Sequence, residues 1–95
     1  MTFYNKQGQR IPVQEFLTLL RDPSYKQIAN TNTPDGKRVS TVWLGTDYGP
    51  EDNPPRIFET MVFPSDGTFD DLDSAHYTTE EEAIAGHKLM VEKWT

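Results

Sequence analysis

Residues 37–45 read KRVSTVWLG and residues 57–63 read IFETMVF, and the reading of these two stretches decides the fold. Both are dense in β-branched and aromatic side chains, which suit a pleated, half-buried surface. Side chains alternate across a strand, so Val39, Thr41 and Trp43 share one face of the first stretch and Val42 and Leu44 the other. In the second, Ile57, Met61 and Phe63 share a face with Glu59, and Phe58 and Val62 share the opposite face with Thr60. Apolar groups on both faces predict interior strands, or a sheet covered by helix on one side and by a partner on the other.

Working outward, residues 46–56 (TDYGPEDNPPR) hold three prolines and a glycine and cannot continue a ladder, so they read as a long loop. Upstream, Thr33-Pro34-Asp35-Gly36 is a tight turn. It joins the first strand to a polar one between Tyr25 and Thr33, whose main aliphatic anchor is Ile28. Val13, Phe16, Leu17 and Leu20 recur at the spacing of an amphipathic helix, with Pro12 in its first turn and Pro23 at its end. Short stretches at Phe3–Asn5 and Arg10–Pro12 flank a turn and predict a small hairpin. Downstream, residues 64–77 read as an acidic loop without periodicity. Thr78-Thr79-Glu80-Glu81-Glu82 then carries the capping-box pattern of a helix start. That helix runs to the C-terminus with Ala83, Ile84, His87, Met90, Val91 and Trp94 on one face. The expected architecture is a single α+β domain over residues 1–95. A small antiparallel sheet, made of the N-terminal hairpin plus a three-stranded meander, is packed by two helices.

The 95 residues contain no cysteine, which excludes disulfides and thiolate metal sites. No leader and no run of ~20 apolar residues is seen, so neither a secreted nor a membrane-spanning chain is expected. The net charge of −6 is unevenly spread. Residues 1–46 carry six basic and three acidic side chains, and residues 47–95 carry three basic and twelve acidic ones. Asp66, Asp70, Asp71, Asp73, Glu80, Glu81 and Glu82 follow one another with no Lys or Arg among them. Such a field repels nucleic acid and attracts basic surfaces. Direct nucleic-acid binding is therefore not expected.

Three motifs stand in order: VSTVWLG (Val39–Gly45), PPRIFETMVF (Pro54–Phe63) and YTTEEEAIAGH (Tyr77–His87). Together they resemble a family of small bacteriophage and prophage open reading frames with VSTVWLG, PP-x-IFETMVF and TEEEA-x-x-GH motifs. The likeness covers roughly the C-terminal two thirds. It implies a mobile genetic element and the cytoplasm of a bacterial host. In that setting many small acidic proteins inhibit host defences stoichiometrically, CRISPR systems included.

Chemistry-bearing residues are few. His87 is a titratable ring on an apolar helix face, and Glu59 is a carboxylate in a core-quality strand. A packed histidine, and an ion pair of Glu59 with Lys37 or Arg38, are the structural alternatives. Gly86 within the helix points to close approach of a strand or a subunit. Asp66–Asp73 offers many oxygens, but Asp71 stands where a calcium loop of the EF-hand type needs glycine, and no metal site or cofactor is expected. No nucleophile elbow and no glycine-rich phosphate loop is present. The favoured expectation is a non-enzymatic protein that binds a bacterial defence or host protein bearing a basic surface. Its contact face would be Asp66, Asp70, Asp71, Asp73, Glu80 and Glu81. The alternative is a binder of a nucleotide signal using Arg38, Trp43, Tyr48 and Arg56, at the interface of a homodimer. A small hydrolase built on His87 and Glu59 ranks last.

Overall fold

The computed structural model describes residues 1–47 and 54–95. The two deciding stretches pair as antiparallel neighbours, β4 (Arg38–Trp43) and β5 (Phe58–Phe63), with Thr41 opposite Thr60 and Trp43 opposite Phe58. β3 (Gln27–Asn32) flanks β4 across the turn at Thr33–Lys37, and β6 (Asp73–Tyr77) flanks β5, giving the order β3-β4-β5-β6. The N-terminal hairpin, β1 (Phe3–Tyr4) with β2 (Arg10–Ile11), forms a separate two-stranded sheet, tied to the rest by Tyr4 N–H donating to Gly45 O at 2.8 Å. Three helices complete the α+β fold: α1 (Val13–Leu20), α2 (Pro23–Lys26) and α3 (Glu80–Trp94).

Two elements go beyond the sequence reading. β6 lies within the stretch read as loop, because an edge strand pairs on one side only and needs few apolar residues. Ala75 and Tyr77, alternating with Ser74 and His76, suffice to seat it. The turn of α2 forms because Asp22 accepts from Ser24 N–H and Pro23 occupies the first helical position, where its missing N–H costs nothing.

All three helices lie on one side of the four-stranded sheet. Trp43 is fully buried there, 5.8 Å from the Phe16 ring of α1 and edge-on to Tyr25 of α2 at 5.0 Å. Phe16, Trp43, Ile57, Phe58 and Ala83 form one apolar cluster, and Val39, Val62 and Met90 form a second. Gly45, at φ 77°, lies where a Cβ would overlap both Phe16 and Trp43, so this bend closes only with glycine. Ile57 departs from its expected face. β5 begins at Phe58, and the residue before it turns into the first cluster, held by Leu44 N–H donating to Ile57 O at 2.7 Å. The helix stripes are also shifted. In α1, Leu19 and Leu20 pack inward with Phe16 while Val13 and Leu17 stay exposed, and in α3 Ile84 faces out. Among the described residues no helix is long and apolar enough to cross a membrane.

Candidate functional site

The residues singled out by sequence separate into three places. The first is a polar layer between the two apolar clusters. His87, 5% exposed, projects from α3 onto the sheet. Its Nδ1 is 2.7 Å from Thr41 Oγ1 and its Nε2 is 2.8 Å from Thr31 Oγ1. Thr41 Oγ1 in turn lies 2.5 Å from Thr60 Oγ1. A neutral imidazole offers one donor and one acceptor, and hydroxyls serve either role, so the chain is satisfied without charge. Burial pushes the His87 pKa below its ordinary value, because the cation would lose its water. α3 comes this close because Gly86 sits over Tyr77, whose ring a Cβ would overlap. The close approach expected at Gly86 is therefore to a strand, β6.

The second place is the opposite face of the same sheet. Arg38, Ser40 and Val42 of β4, Glu59, Met61 and Phe63 of β5, and Ser74 and His76 of β6 occupy it. No described helix lies across it; Pro23 and Lys26 of α2 reach only its β3–β4 corner, where they line a cavity with Gln27, Arg38, Ser40 and Val42. Glu59 Oε2 is 2.9 Å from His76 Nε2, so its partner is neither Lys37 nor Arg38. Lys37 instead pairs with Asp35 within the β3–β4 turn, where the ammonium and the Thr33 hydroxyl hold the Asp35 carboxyl at about 2. The Arg38 guanidinium lies over the Phe63 ring, 4.7 Å from its centroid. Glu59 and His87 stand on opposite faces of the sheet, so no reacting pair is assembled from them. His76, the missed partner, alternates with Ala75 and Tyr77, and that alternation is the signal that would have placed it.

The third place is the acidic stretch, which divides on inspection. Asp73 accepts from Lys93 Nζ at 2.7 Å and Trp94 Nε1 at 3.0 Å, and these two donors lower its pKa. Glu80 pairs with Lys6 at 3.6 Å, and Glu82 belongs to the α3 cap, where Thr79 Oγ1 accepts from Glu82 N–H at 3.1 Å. Asp66 shapes its own turn by accepting from Thr68 N–H and Oγ1, bonds that also lower its pKa. Asp70 and Asp71 stay exposed in the loop after β5, beside Phe69, which is 84% exposed.

Of the residues expected to contact a nucleotide, Trp43 is excluded by burial, its Nε1–H spent on Tyr4 O at 3.1 Å. Arg56 is exposed at the foot of β5 and holds Asp47, its N–H donating to Oδ2 at 2.8 Å. Tyr48 lies outside the described residues. Among those described, no three His, Asp or Glu side chains are gathered about a common point. No protein-family model, curated protein or solved structure matches this chain.

Proposed function

We propose that this chain acts by stoichiometric binding and not by catalysis, docking the loop after β5 onto a basic surface of a bacterial defence or host protein. The observation that supports this is the loop's tip. Phe69 stands 84% exposed with Asp70 and Asp71 beside it and Asp66 at the base. An exposed aromatic ringed by charge is the composition of a binding hot spot, since the ring supplies desolvated area and the carboxylates steer the encounter. The surface is narrower than the full acidic stretch: Asp73 and Glu80 are paired within the chain, leaving Asp66, Asp70 and Asp71 with Glu81 as the outlying member. The phage-like motifs support a mobile-element origin and action inside a bacterial host.

The test is capture of host proteins on the immobilised chain, run beside a Phe69→Ala variant and an Asp70→Lys/Asp71→Lys variant. A partner of this loop is retained by the parent, released by rising salt, and lost by both variants. A protein retained equally by all three chains does not use the loop, and the reading fails.

A further inference from the structure

The open face of the sheet holds a second site, which borrows Thr68 and Phe69 from the loop after β5 but none of its carboxylates. Among the described residues Lys26 and Arg38 make no ion pair, although the chain carries a net charge of −6. Two other cations at this sheet are matched, Lys37 by Asp35 and Lys93 by Asp73. Lys26 and Arg38 line one cavity of ≈ 240 Å³ together with Gln27, Ser40 and Val42. Among the described residues the side chains of Gln27 and Ser40 also have no hydrogen-bond partner. Two unpaired cations, a free hydroxyl and a free amide around one small cavity are the donors an oxyanion needs.

Arg38 also lines a second cavity, of ≈ 250 Å³, on its other side, with Asn32, Phe63, Ser65, Thr68 and Phe69. Its guanidinium lies over the Phe63 ring, 4.7 Å from the centroid, a contact that restrains the fork before any ligand arrives. The arrangement is therefore bipartite: an anion pocket and a compartment with aromatic walls, meeting at one arginine. We propose that this face binds a phosphate monoester carrying a planar ring, that is, a mononucleotide. The phosphate lies among Lys26, Arg38, Ser40 and Gln27, and the base lies against Phe63 and Phe69. Polynucleotides are disfavoured because the acidic loop beside the second compartment repels further phosphates.

Amide-detected NMR titration tests this with adenosine and uridine monophosphates, adenosine alone, inorganic phosphate and a short single-stranded oligonucleotide. The mononucleotides should shift the amides of Arg38, Ser40 and Phe63 together, with adenosine and inorganic phosphate each at least about tenfold weaker, since each fills half the site. Arg38→Ala should weaken mononucleotide binding about tenfold or more, and Arg38→Lys by a smaller factor, because charge survives but the fork does not. Superposable spectra away from this face establish that both variants are folded. Silence from every mononucleotide, shifts indifferent to Arg38→Ala, or tighter binding of the oligonucleotide would each overturn the assignment. The Asp70→Lys/Asp71→Lys variant must still bind, which separates this site from the docking loop.

Discussion

The two faces of the four-stranded sheet come from the same strands and differ in how their polar groups are treated. On the helix side, Thr41, Thr60 and His87 are buried and Thr31 is half-buried, and every hydroxyl and ring nitrogen among them has a partner. No buried side-chain nitrogen or oxygen among the described residues lacks one. On the open side, Gln27, Ser40, Lys26 and the Arg38 guanidinium have no hydrogen-bond or ion-pair partner among the described residues. The difference teaches where stability and recognition reside. A polar group under a helix must be satisfied by the fold, since leaving it unmatched costs about 1–3 kcal/mol. A polar group facing water carries no such obligation and remains available to a ligand.

Breaking the covered face should produce the largest effect. His87→Ala removes the ring that joins α3 to β3 and β4, leaves a cavity, strands the Thr31 hydroxyl and leaves Thr41 with Thr60 alone. A loss of about 3 kcal/mol in unfolding free energy is expected from chemical denaturation. A loss below about 1 kcal/mol would mean that water replaces the ring without cost. Next comes Gly86→Ala, where the new methyl group meets the Tyr77 ring. Helix propensity gains about 1 kcal/mol, overpacking costs about 1–3, and the net expectation is destabilisation of up to about 2 kcal/mol. A stabilised variant would show that β6 and α3 are not held as close as described.

The same contrast explains what was legible in the sequence. The alternation in VSTVW and FETMVF announced two strands and the antiparallel α+β class, because apolar periodicity is imposed wherever a face is buried. β6 was hidden because Ala75 and Tyr77 are the only apolar residues of DSAHY that pack inward, and Asp73 beside them read as loop chemistry. His87 was legible as a packed ring, but its Thr31 and Thr41 partners were not, since threonine in a strand signals β-propensity whether or not its hydroxyl is used. Trp43 illustrates the converse error: an aromatic beside basic residues suggested stacking on a ligand, yet its place in the alternation put it in the core. Arg38 suggested a nucleotide contact, Lys26 did not, and that both stay unpaired could not be read, because pairing depends on which side chains a fold brings together.

The covered histidine should also make stability depend on pH in a definite direction. Its folded pKa lies below its unfolded value, so the unfolded chain takes up the proton first. The His87 contribution is complete above the unfolded pKa of about 6.5 and is lost as pH falls through the folded value. Burial alone sets this direction; Lys88 and Glu92, of opposite charge, line the same groove. The denaturation midpoint should fall between about pH 7.5 and about pH 5, and His87→Gln should flatten that slope. The lowered pKa values of Asp35, Asp66 and Asp73 act in a separate window, since their share is lost only under more acid conditions. A parent protein whose midpoint is level across the histidine range would place the imidazole in water.

The smallest expected change is the sharpest probe of the open face. Ser40→Ala deletes a hydroxyl that has no partner among the described residues, two residues from Arg38 on the same side of β4. Substitutions free of cap, core or network typically move stability by no more than about 0.5 kcal/mol, and this one should do the same. Thr41→Val, one position along the same strand, removes the hydroxyl that bridges His87 to Thr60 and should cost about 1–3 kcal/mol. Adjacent residues of one strand thus become an internal control for each other: similar backbone, similar lost group, opposite faces. Equal costs would mean that the open face is covered in solution by something the fold itself supplies. A cost at Thr41 alone leaves Ser40 as a group whose retention answers to a ligand and not to folding.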